Sequence, residues 1–169
     1  MTSLPYDLWP VRTDPVQFRT ALACLAVNGR DAMPDGGTLS ITAANTSLDE
    51  AFAARRPFAM KPGDYVRIVV SDTGTGMPED VLERAYDPFF TTRKVGEGSG
   101  LGLSMVYGFA KQSDGRALIR PGDHGGTCVE LHLPLAERDV GADNLSAGDA
   151  VKLARATILV LDPSHYDDS

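Results

Sequence analysis

Cysteine is scarce in this chain and tryptophan scarcer, with two of the former and one of the latter in 169 residues. Cys24 and Cys128 stand far apart and neither belongs to a CxxC pair. That argues against a disulfide-built scaffold or a zinc site of usual spacing. Both cysteines read as reduced, buried, small hydrophobes of a cytosolic protein. The three histidines, His124, His132 and His165, form no HxxxH pattern. Positive charge is in deficit, with 16 Lys and Arg against 23 Asp and Glu and a net charge of -7. A broad electrostatic grip on nucleic acid or anionic lipid is therefore not expected. No apolar run approaches the ~18 residues of a membrane span. The opening "MTSLPYDLWP" has no basic stretch leading into an apolar one, so no secretory signal is read. The expected setting is cytoplasmic. The remainder, 43% apolar and 23% charged, suits one soluble domain with some tail.

Local patterns set the order of elements. Residues 1–13 read as extended, broken by Pro5 and Pro10. Asp14-Pro15 is a helix start, an N-cap acid followed by proline at the first helical position. Apolar residues then recur near helical period at Phe18, Leu22, Leu25, Ala26 and Met33, until "PDGG" stops the helix. "TLSITAAN" (38–45) and "DYVRIVVSD" (64–72) predict strands, the second central in a sheet. A short helical piece is expected around "DEAFAARR", and another helix in "PEDVLERAY". Residues 87–100 read as a glycine-rich, basic loop, 101–113 as a helix, and "RALIR" and "TCVELHLP" as the last strands. The fold class expected is α+β, a two-layer sandwich with helices on one face of a mixed sheet. Residues 1–136 form the domain, 137–156 a polar linker, and 157–169 the start of something further.

Three features carry chemistry. Asp72 ends the central strand and precedes Gly74 and Gly76. A carboxylate only accepts hydrogen bonds, so its natural partner is an exocyclic amine such as that of adenine. The alternative is a carboxylate capping the following helix. Gly96, Gly98, Gly100 and Gly102 precede a helix, an arrangement whose free backbone N–H groups suit phosphate. Asn28 lies among Leu25, Ala26 and Val27, with Cys24 one turn earlier and Asp31 about one turn later. An amide oxygen there can ligate Mg²⁺ or can cap a neighbouring loop.

Taken in order, "LAVNGRDAMPDGGTLSI", "VVSDTGTGMPED", "YDPFFTTR", "GSGLGLSMVYGFAKQSDG" and "GGTCVELHLP" carry a resemblance over roughly residues 8–135. The chain resembles the catalytic ATP-binding domain of sensor histidine kinases, in the superfamily shared with DNA gyrase, the mismatch-repair ATPase and the heat-shock chaperone. The resemblance implies a Bergerat-type fold that binds Mg-ATP and transfers its γ-phosphoryl group to histidine. Asn28 would coordinate Mg²⁺ and Asp72 would take the adenine amine. Gly74 and Gly76 would admit the base, and Gly100, Leu101, Gly102 and Leu103 would cover the phosphates. Thr127 would support the adenine end. Residues 87–100 would form a lid anchored by Phe89 and Phe90, from which Arg93 or Lys94 reaches the phosphates. Asp31, Met77, Thr92 and Gly98 complete the implied nucleotide-binding set.

Three departures from the family pattern stand out, one of them the segment Arg116–Gly126, which is shorter than usual. Cys24 occupies a position where these kinases usually carry Asn and the hydrolytic relatives a catalytic Glu. A thiol is a poor Mg²⁺ ligand and a poor base, which argues against efficient hydrolysis. Gly29 stands where Ala is usual. No histidine here resembles a phosphoacceptor, so the implied partners are a histidine-containing dimerisation domain, in the same longer chain or in trans, and a response regulator or receiver. "ARATILVLDPSHYDDS" is itself similar to the first strand of a receiver, with Asp162 at the position of one acid. The alternative reading of the whole is a nucleotide- or partner-binding module without turnover.

Overall fold

The computed structural model describes residues 2–3, 5, 7–51, 60–92, 100–136 and 144–145. Five strands form one mixed sheet: β1 (Thr2–Ser3), β3 (Leu39–Leu48), β4 (Gly63–Asp72), β6 (Thr127–Pro134) and β5 (Arg116–Pro121), in the spatial order β1-β3-β4-β6-β5. β1 runs parallel to β3 and every other pairing in that sheet is antiparallel. A second small ribbon joins β2 (Val11–Arg12) to β7 (Asn144–Leu145). The helices are α1 (Pro15–Asp31), α2 (Glu79–Arg84) and α3 (Gly102–Gln112).

The elements form for the reasons read in the sequence. Asp14 Oδ1 accepts from the Val16 and Gln17 N–H groups at 2.8 and 3.0 Å, capping α1, and Pro15 sits at its first position. One face of α1 buries Phe18, Leu22 and Leu25 against Ile41, Ile68, Val70, Val129 and Leu131 of the sheet and Val106 and Phe109 of α3. The Phe18 and Phe109 rings meet at 6.0 Å between centroids. Each such aromatic or leucine contributes roughly 1.5–3 kcal/mol by leaving water.

Two differences from expectation concern the edges. β1 and β2 lie in the segment read only as extended. Asn144–Leu145, within the expected linker, pairs with β2. The helical piece around "DEAFAARR" is described only at residues 50 and 51, which are helical; residues 52–59 lie outside the described part.

β6 is buried on both faces. Leu131 and Leu133 join the core beneath the helices. The alternating residues Cys128, Glu130 and His132 lie on the other face, at 2%, 3% and 2% exposure. Glu130 is held there by Arg67, whose Nε and Nη2 donate at 3.0 and 2.7 Å, and by Arg120 Nε at 3.1 Å. Burial pushes the Glu130 carboxyl up, but the two guanidiniums outweigh it and hold it at about 2, below the usual 4.5. A depressed folded-state value means the stabilisation is complete above 4.5 and is lost as pH falls toward about 2. The stability gap between the parent chain and Glu130→Gln should therefore narrow on acidification through that window. Denaturant unfolding at a series of pH values measures it, and a gap independent of pH would refute the account.

Candidate nucleotide site

The helix layer and the C-terminal end of β4 enclose a cavity of about 740 Å³. Asp72 lies at its floor, 8% exposed. Asp72 Oδ1 accepts the backbone N–H of Gly74 at 2.9 Å and that of Thr127 at 3.2 Å. Both donors fix that oxygen and leave Oδ2 as the acceptor open to a ligand. The carboxylate is thus oriented by backbone rather than by a rotatable side chain, which favours a fixed pairing geometry.

Close backbone approach builds this floor. Gly126, just before Thr127, has φ +73°, and a Cβ there would collide with the Asp72 main-chain carbonyl and approach Oδ1. Gly126 was not singled out from the sequence, although the "GG" before Thr127 was the available signal. Gly76 lines the cavity, as do Met77 and Thr127. Gly74 does not. Its missing Cβ makes room for the Ala32 carbonyl at the end of α1, which also accepts from Thr75 N–H at 3.1 Å. This glycine makes room for helix packing. Gly29 has a similar role, since a Cβ there would lie 2.7 Å from Leu39 Cδ1 and 3.3 Å from Asp72 Cβ. The residue that weakens α1 by ~1 kcal/mol is the one that lets the helix lie against Asp72.

α1 forms the long wall. Asn28 and Asp31 line the cavity, with Asp31 paired to Arg30 Nη2 at 2.8 Å. Cys24 also lines it, so this thiol is not the buried hydrophobe expected; Cys128 is. Burial pushes the Cys24 thiol up, keeping it neutral. Asn28 and Cys24 both face the start of α3, since a Cβ on Gly102 would stand 3.6 Å from Asn28 Nδ2 and 3.9 Å from Cys24 Cβ. No side chain caps α3, and its first residue, Gly102, lines the same corner. Gly100, Gly102 and Leu103 line the cavity, whereas Leu101 does not; its carbonyl receives the Met105 N–H at 2.9 Å.

Phe90 and Thr92 line the opposite side, and the Arg84 guanidinium covers the Phe90 ring at 4.3 Å. Phe89 is 74% exposed, so only the second of the two rings is anchored. Arg93, Lys94 and Gly98 lie outside the described residues.

The residues fit a divalent ion carried in with a ligand. Asn28 presents an amide to the cavity with no hydrogen-bond partner among the described residues. No group of three His, Cys, Asp or Glu among them could hold an ion unaided. A Mg²⁺ ion here would take Asn28, phosphate oxygens and waters, and would neutralise phosphate charge.

Comparison with known proteins identifies the family. Residues 13–137 match the family model for histidine kinase-, DNA gyrase B- and HSP90-like ATPases. The sensor kinase CckA of Brucella abortus is 44% identical over 155 residues, 90% of this chain and 16% of that protein. Sporulation kinase E of Bacillus subtilis is 30% identical over 78% of this chain and 15% of its own length. The chain thus spans about a sixth of these relatives. Among solved structures, the nucleotide-free catalytic domain of histidine kinase ThkA superposes with a TM-score of 0.61 at 23% identity, over 80% of this chain and 79% of that one. Full-length ShkA in complex with AMPPNP gives 0.60 at 23% identity, over 83% of this chain and 26% of that one. The α+β sandwich is of the Bergerat type, and the chain belongs to the histidine kinase-, DNA gyrase B- and HSP90-like ATPase family.

Proposed function

We propose that this domain binds Mg-ATP and passes the γ-phosphoryl group to a histidine on a separate helical dimerisation domain. The observation that carries the reading is the Asp72 carboxylate, held by two backbone N–H groups at the floor of a cavity whose wall presents Asn28. Asp72 would accept the adenine amine. Asn28 would hold the ion with the phosphates, beside the free N–H groups of α3, and Thr127 and Met77 would flank the base. Catalysis in such a site is positioning and charge neutralisation. The bond from the γ-phosphorus to the bridging oxygen breaks, ADP leaves, and a phosphorus–nitrogen bond forms on the incoming imidazole.

The neutral Cys24 thiol offers no base for water, which disfavours hydrolysis. The acceptor must come from elsewhere. His124 lies in the β5–β6 turn and His132 on the sheet face away from the helices, and neither lines the cavity. The large hydrophobic side chains exposed among the described residues are Val16, Phe89 and Met105. Val16 precedes the lining residue Thr20 by one turn, Met105 follows Gly102 by one turn, and Phe89 adjoins Phe90. A receiver would be the eventual phosphate acceptor. The second reading, a binding module without turnover, rests on Cys24.

Titration with a fluorescent ATP analogue, with and without Mg²⁺, tests the binding half. Asn28→Ala should lose the Mg²⁺ enhancement, by about tenfold or more in apparent affinity, while metal-free binding persists. Addition of a purified histidine domain should then yield acid-labile phosphate. Binding without transfer selects the nucleotide-binding module; no binding at all rejects the Mg-ATP reading and leaves only a partner-binding module.

A further inference from the structure

We propose that the corner between α1 and α3 takes a thiophilic divalent ion of the zinc class together with the nucleotide, through the Cys24 sulfur and the Asn28 amide oxygen; this rests on the nucleotide reading above. Cys24 and Asn28 stand four residues apart on α1. Side chains at that spacing leave a helix from one flank, with Cβ atoms about 5–6 Å apart. Gly102 marks where they point. A Cβ there would stand 3.9 Å from Cys24 Cβ and 3.9 Å from Asn28 Oδ1. All three residues line the cavity. Metal–sulfur and metal–oxygen bonds of ~2.3 and ~2.1 Å let one ion bridge donors at that separation.

The donor set decides which ion. Mg²⁺ is selected by hard oxygens. The carboxylates that line the cavity among the described residues are Asp31 and Asp72. Asp31 is engaged by the Arg30 guanidinium at 2.8 Å, and Asp72 is held at the base end by the Gly74 and Thr127 N–H groups. What converges beside Gly102 is one amide oxygen and one sulfur. Mg²⁺ would leave that sulfur outside its shell, whereas a zinc-class ion uses both donors. As the metal–sulfur bond forms, the thiol proton passes to solvent. Phosphate oxygens fill the remaining positions, so the ion enters with nucleotide; no group of three His, Cys, Asp or Glu among the described residues could hold it unaided. Cys128 is no substitute, being 2% exposed and outside the cavity lining.

Co²⁺ is the probe, because thiolate-to-cobalt charge transfer absorbs in the near ultraviolet, at longer wavelength than adenine. The whole chain with Co²⁺ and a non-hydrolysable ATP analogue should show this band, and should lack it without the analogue. Cys24→Ser should abolish the band and Cys128→Ala should keep it. Calorimetry with the same analogue gives the Co²⁺-over-Mg²⁺ ratio of affinities, which Cys24→Ser should lower about tenfold or more. Cys24→Ala takes its place if the melting temperature without ligand shows that serine disturbs the fold. No band in the parent complex, a band that forms without the analogue, one that survives Cys24→Ser or is lost with Cys128→Ala, or an unchanged ratio would overturn the assignment while leaving the Mg-ATP reading intact. A parent chain that binds the analogue with neither ion would remove both.

Discussion

Asp72→Asn is expected to lower affinity for ATP by about 100-fold or more, because a buried donor would face a donor. Gly74 and Thr127 both donate to Oδ1, so the oxygen of the substituted amide must stay there. The amide nitrogen then replaces Oδ2, where the purine amine arrives. The fold should survive, since both backbone bonds are kept. A nucleotide with a carbonyl in place of the amine, such as GTP or ITP, should suffer far less and gain in relative affinity. Competition titration measures the ratio, and an unchanged preference for adenine would place the base elsewhere.

Glu130→Ala carries the largest expected loss of stability, about 2–3 kcal/mol in the free energy of unfolding. Removing one partner of a fully buried ion pair costs ~3–5 kcal/mol. The lower figure applies because Arg67 and Arg120 keep 37% and 39% side-chain exposure and can turn to water. Nucleotide binding should be unaffected at temperatures where the variant is folded, since Glu130 does not line the cavity. Chemical denaturation gives the number directly, and a loss below about 0.5 kcal/mol would mean that this network is only surface decoration.

These two residues also mark how much the sequence reveals. Asp72 was legible because strand, acid and glycines are adjacent, and local order dictates the turn at a strand's end. Glu130 was not. In "TCVELHLP" an alternating acid reads as solvent-facing, yet its burial depends on Arg67, 63 positions away, and on Arg120 across the β5–β6 turn. The helices and long strands announced themselves through Asp14-Pro15 and through apolar period. β1 and β2 could not, since a two-residue strand pairs by backbone alone and leaves no side-chain pattern. Gly74 and Gly126 show a subtler gap. The sequence records that a Cβ is missing but not which group occupies the space, a helix end for one and the Asp72 backbone for the other.

The junction between Ala32 and the loop after β4 has a mechanical consequence. Thr75 is tied to the Ala32 carbonyl and Gly74 is pressed against it, so helix and loop translate together. A small slide of α1 along the sheet would detune purine selectivity and metal affinity in step. Substitutions along that seam should therefore shift both constants in proportion, as a key cut on one blank loses every tooth when the blank is bent.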